Sequence, residues 1–141
     1  MMIRRRLIRD ENGAAIVEMA FALPVLIVMI WAFVQLAQVY RAMAGIQQAL
    51  GEGARYATLC LNPGTSGCSA PSTDDVKLKI QQSVYGIGPG TFDTPTVVEG
   101  ASGTSSYYDL TVRYRQPTNL LLFAGPNIDV SRSKRVWIAA T

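Results

Sequence analysis

Glu18 is the side chain best placed to do chemistry, because it stands at the edge of an uncharged apolar run, Met19 to Tyr40. An ionised carboxylate at the edge of hydrocarbon costs about 2–3 kcal/mol or more, so it normally has a partner. Ala14 lies four residues earlier, behind Gly13, and such positions share one helix face. A cut after Gly13 would create an α-ammonium at Ala14, a positive group for Glu18 of the same chain or of a neighbour. The bland alternative leaves Glu18 solvated at the headgroups on the cytoplasmic side.

Other reactive constellations are sparse. Cys60 and Cys68 bracket a turn containing Asn62-Pro63-Gly64, and the chain has no histidine. Outside the cytoplasm that pair is expected as a disulfide, worth roughly 2–3 kcal/mol for so short a loop. Zinc wants about four ligands, so two cysteines without histidine argue against a metal site. The Ser/His and Cys/His arrangements of nucleophilic catalysis are excluded for the same reason. Asp74 and Asp75 are adjacent, so a helix points them apart. Gly86-Ile87-Gly88-Pro89-Gly90 follows an expected helix where a phosphate loop would precede one, and its proline lacks a donor. The chain is expected not to be an enzyme and to need no cofactor or small-molecule substrate.

The elements that position these residues begin with a membrane helix. A crossing needs about 20 residues, and the Met19–Tyr40 run slightly exceeds that. Such a run is longer than the roughly 7–15 apolar residues of a cleavable signal. Arg4, Arg5, Arg6 and Arg9 precede it, and positive flanks stay cytoplasmic. Arg4-Arg5-Arg6 is loosely like a twin-arginine signal, which a positive flank already explains. Residues 1–13 are thus expected as a cytoplasmic leader, 14–40 as the transmembrane helix and 41–141 as one exported domain. Pro24 should kink or locally unwind the helix.

Helix-compatible sequence continues from Val39 to Tyr56. Gly45, Ala49, Gly53 and Ala57 recur every four residues as a narrow seam of small side chains. That seam either seats the helix on its own sheet or meets another subunit. A second helix is expected over Asp74–Tyr85, capped by Ser72 or Thr73 and buried through Val76, Ile80 and Val84. Residues 86–106 read as loop with one short strand at Thr96–Glu99. Tyr108 to Arg115 alternates apolar with polar, and Ile128 to Ile138 reads as a long strand. Arg113, Arg115, Arg132, Lys134 and Arg135 then form a possible basic face, either simply solvated or docking an acidic partner. The fold class is α+β: a long N-terminal helix entering a small domain with a short helix and an antiparallel sheet.

Charge adds little beyond orientation. The net charge is +3 from 13 basic and 10 acidic residues. Most of that excess sits in the leader, so nucleic acid is not an expected partner.

The order of basic leader, Gly13, Glu18 and apolar helix resembles prepilins cut by an inner-membrane prepilin peptidase. Further residues narrow the resemblance to the TadE-like pseudopilins of the tight-adherence (Flp pilus) system. These are Asn12-Gly13-Ala14-Ala15, Val17-Glu18-Met19-Ala20, Leu23-Pro24 and Glu52-Gly53-Ala54-Arg55-Tyr56-Ala57. Where that family commonly has an aromatic residue after the glutamate, this chain has Met19, whose flexible thioether can fill the same apolar slot. The resemblance implies a pilin-like fold, cleavage between Gly13 and Ala14, and a role for Glu18 in recognition or assembly. It also implies leader arginines that keep the scissile bond cytoplasmic. Expected partners are inner-membrane lipid, the prepilin peptidase, other pilins or pseudopilins and the secretion platform. The implied location is the bacterial inner membrane, with the C-terminal domain periplasmic or carried into a pilus. Minor pseudopilins of type II secretion or type IV pili usually begin with Phe, where this chain would begin with Ala14. An unprocessed, membrane-tethered binding or scaffold protein is the alternative.

Overall fold

A sequence this rich in Ala, Leu, Ile and Met, with no proline after Pro24 until the helix has ended, carries α1 from Glu11 to Ala57, 47 residues. The computed structural model describes residues 11–59, 70–84, 88–119, 121 and 124–138. The local unwinding expected at Pro24 does not occur, and helix continues through it. Proline forfeits one bond, to the carbonyl of Ala20, and the intact ladders on either side hold the geometry.

Two environments divide α1. From Ala14 to Val34 its side chains are exposed, apart from half-buried Val28. Burial begins at Gln35 and Val39, then continues through Ala42, Ile46, Ala49, Leu50, Ala54 and Ala57. Spacings of three and four place these on one face, which the rest of the chain covers.

The second helix, α2, spans Thr73–Val84. Ser72 caps it: its Oγ accepts from the Asp75 amide at 3.2 Å and donates to Asp75 Oδ2 at 2.6 Å. Val76, Ile80 and Val84 are its buried stripe, as their spacing predicts. Gly86, the expected terminator, lies outside the described residues.

Four antiparallel strands follow: β1 (Thr91–Phe92), β2 (Thr96–Ser102), β3 (Ser105–Gln116) and β4 (Ile128–Ile138). Strand β3 is central. Strand β4 pairs with it from Ser106↔Ile138 to Gln116↔Ile128, while β2 and then β1 share its other edge. Where 86–106 reads as loop with one short strand, β2 runs three residues past Glu99 and joins β3 through a tight turn at Gly103, φ 63°. Gly100 belongs to that ladder. It opposes Tyr107, whose ring lies where a Cβ at position 100 would be, 2.4 Å from the ring carbon Cζ. Composition marks such a glycine as loop, although here it gives room to an aromatic across the strand pair.

The core lies between α1, α2 and one sheet face. Tyr108, Leu110, Val112, Tyr114 and Gln116 of β3 alternate inward, joined by Val136 and Ile138 of β4. The architecture is α+β with one candidate transmembrane helix.

Candidate membrane and assembly interface

Gly13, Ala14 and Glu18 lie on the uncovered end of α1. Ala14 and Glu18 are exposed and Gly13 is half-buried. Glu18 borders a surface of Met19, Ala22, Val25, Leu26 and Met29, a stripe of apolar side chains with a single carboxylate at one end. The helix carrying it is long and apolar enough to cross a bilayer, and among the described residues none covers its most apolar stretch. Arg4, Arg5, Arg6 and Arg9 lie outside the described residues, as do Cys60 and Cys68.

The small-residue seam is taken up inside the chain. Gly45, Ala49, Gly53 and Ala57 are all buried. A Cβ at Gly53 would stand 2.4 Å from Ile80 Cγ1 and 3.7 Å from Leu110 Cδ1, so α2 and β3 close onto the helix at that point.

Below the seam, polar groups join α1 to the far end of the sheet. Tyr114 OH accepts from the Gly90 amide at 2.9 Å and donates to Gln116 Oε1 at 2.9 Å. The buried Gln116 amide turns towards Gln38 Oε1 at 3.4 Å. One turn nearer the exposed end, the Gln35 side-chain amide and the Asn119 backbone pair reciprocally. The Asn119 N–H donates to Gln35 Oε1 at 3.2 Å, and Gln35 Nε2 donates back to the Asn119 carbonyl. Trp31 Nε1 donates to that same carbonyl at 2.6 Å. Sequence reasoning passed over these contacts, though one signal was present. Gln35 and Gln38 are the only amide side chains in the run from Met19 to Tyr40, three residues apart and so on one face.

The possible basic face does not form as one surface. Paired residues of antiparallel strands point to the same side, and the register opposes Val112 to Arg132 and Leu110 to Lys134. Arg132 and Lys134 therefore lie on the helix side of the exposed strand β4. Arg113, Arg115 and Arg135 lie on the outer side. Two of those three are neutralised locally. Arg115 meets Asp129 at 2.9 Å, and Arg135 forks onto Asp109 with both bonds at 2.8 Å. The hydrogen bond from Arg135 holds the Asp109 carboxyl below the usual aspartate range, against the opposing effect of burial. Arg135 also lies 4.0 Å over the Tyr107 ring, which packs edge-on against Trp137.

Among the described residues, no cluster of three or more His, Cys, Asp or Glu side chains gathers as a metal would need. Burial raises the Tyr108 phenol, aided by the negative charge of Glu99, and its hydroxyl donates to the Pro71 carbonyl at 3.1 Å. That bond ties the entry of α2 to the sheet and has no evident part in chemistry.

Residues 13–55 match the family model described as TadE-like protein, a segment that starts at Gly13 and ends within the buried half of α1. No curated protein and no solved structure matches the chain.

Proposed function

From the premise that residues 13–55 are TadE-like, we propose that this chain is a minor pilin or pseudopilin of the tight-adherence pilus apparatus. It acts by assembly and not by catalysis. A prepilin peptidase cuts after Gly13, and the new Ala14 ammonium and Glu18 supply opposite charges on one helix face. Lateral association in the inner membrane then buries those charges against neighbouring pilins or pseudopilins, while the α+β unit faces the periplasm and the secretion platform. The observation that carries this reading is the position of Glu18. It is the lone carboxylate on an otherwise apolar, uncovered stretch of α1, inside the TadE-like segment.

The test is the intact mass and N-terminal sequence of the protein extracted from native membranes, with and without the prepilin peptidase. A chain starting at Ala14 only when the peptidase is present is the expected result. The same uncut start in both backgrounds sinks processing and leaves a membrane-tethered binding or scaffold protein.

A further inference from the structure

Among the described residues, two strands of the sheet each have one edge without a partner. Strand β3 carries β2 on one side and β4 on the other, and neither of those pairs further. An unpaired edge is a row of backbone donors and acceptors, which chains usually guard with charge. Here the guards differ in sign. Strand β4 carries Arg132 and Lys134, β2 carries Glu99, and all three are exposed. Register fixes their side. Glu99 opposes Tyr108, whose side chain is buried inward, so Glu99 lies on the helix side of the sheet, as Arg132 and Lys134 do. The ion pairs among the described residues are Arg115–Asp129 and Arg135–Asp109, so these three charges are unspent within the chain.

Strand direction decides which edges can meet. Leu110 of β3 lies beside Gly53 and Gln116 beside Gln38, so β3 descends α1 towards its apolar end. Strands β2 and β4, both antiparallel to β3, rise from that end and are parallel to each other. Copies anchored in one bilayer keep their helices in one direction. Antiparallel pairing of β4 with a second β4 would turn one helix over. Parallel pairing of like edges would flip one sheet and put the two α1 helices on opposite faces. Pairing β4 with the β2 of a second copy keeps both direction and face, and it brings Glu99 to the cations. We propose that copies of this chain join edge to edge, β4 of one to β2 of the next, through a Glu99–Lys134 ion pair across parallel strands. Main-chain hydrogen bonds supply the affinity in such an added strand, and side chains select the partner. With Glu99 beside Lys134, Thr96 falls beside Ser131 and Ser102 beside Trp137, so all seven residues of β2 lie along β4. Within one chain Glu99 is level with Val136, through Tyr108. The pairing therefore steps each copy two residues, about 7 Å, along the rod relative to its neighbour. The contact is heterologous and leaves a free β2 and a free β4 at its ends, so it repeats without closing. It rests on α1 as a membrane anchor and not on cleavage after Gly13.

The test mixes isotope-labelled and unlabelled full chain in phosphatidylethanolamine–phosphatidylglycerol vesicles and adds a carbodiimide. That reagent joins a carboxylate to an amine in contact with it as an amide, with loss of water. Mass spectrometry of the digest should find Glu99 joined to Lys134, with labelled and unlabelled peptides mixed as separate chains require. The cross-linked ladder should run past the dimer. Fluorescence transfer between donor- and acceptor-labelled copies should fall several-fold in Glu99→Lys and recover in large part when Lys134→Glu is added. Both positions are exposed, and circular dichroism checks that the variants fold. Junctions confined to one isotope would place the pair within a chain, and a ladder ending at the dimer would mean a closed contact. Transfer unchanged in Glu99→Lys would put the contact elsewhere. Each of these overturns the proposal. Flotation with the vesicles after alkaline carbonate extraction checks the anchor separately. A chain that floats without mixed junctions keeps the anchor and loses the edge pairing, whereas one that fails to float removes the premise that orders the copies.

Discussion

At the scale of single residues, charge placement on the sheet is governed by register more than by composition. Asp109 and Arg135 are 26 positions apart in sequence and directly opposed in the ladder, so their ion pair is visible only once β3 and β4 are aligned. Arg135 holds the Asp109 carboxyl below its ordinary value. The charged form is therefore favoured in the folded state. Whatever stability it lends is present above the ordinary aspartate range and is lost as pH falls through the depressed folded value. Both groups are open to solvent, so the effect on stability is small. The titration itself is the better readout. A carboxyl-carbon NMR titration should place the Asp109 midpoint below that of an ordinary aspartate, and Arg135→Gln should move it up. An unchanged midpoint in the variant would remove Arg135 as the cause. Glu18 was legible from sequence because a carboxylate beside an apolar run is conspicuous. Gln35 was not, since a glutamine near the end of an apolar run attracts notice only when its partner, here the backbone of Asn119, is known.

Among the elements, α2 and β3 were readable because each has a burial period matching its geometry, and α1 because its apolar run is long. Val76, Ile80 and Val84 repeat helically, and Tyr108, Leu110, Val112 and Tyr114 alternate as a strand. Strand β2 was legible over Thr96–Glu99 but its extension hid behind Gly100 and Ser102, and β1 is too short, at two residues, to leave a pattern. The contact between α1 and α2 depends on missing volume at Gly53. Gly53→Ala puts a methyl 2.4 Å from Ile80 Cγ1 and 2.8 Å from its Cδ1. Ile80 is wholly buried and has little room to yield, so overpacking should destabilise the fold by about 1–3 kcal/mol. Gly51 is on the same helix with nothing within 4 Å of its would-be Cβ. Gly51→Ala should be neutral or stabilising by up to about 1 kcal/mol through helix propensity alone. Thermal unfolding of the detergent-solubilised chain, followed by circular dichroism, separates the two. Equal losses in both variants would mean that the close approach at Ile80 is not what position 53 serves.

For the whole molecule, the folded unit and the apolar end of α1 are parts of one rod. Helix runs from Glu11 to Ala57 without a break, and Gln35, Gln38 and the seam fasten its upper half to the sheet. A stiff rod fixes rotation as well as height. The compass direction in which Glu18 faces within the bilayer is set by how the α+β unit is turned above it, so the two cannot choose neighbours independently. Each helical residue turns the axis by about 100° and advances it ~1.5 Å. One alanine inserted between Ile27 and Val28 would swing Glu18 by roughly that angle and lengthen the rod little. Four alanines would return it to within about 40° while adding ~6 Å. Assembly governed by facing direction should therefore tolerate four better than one, measured as the amount of partner subunit recovered with the chain from native membranes. The reverse order would mean that depth in the bilayer governs instead. In the first case α1 works as a drive shaft, and any subunit that grips the α+β unit also aims Glu18 at the other end of the helix.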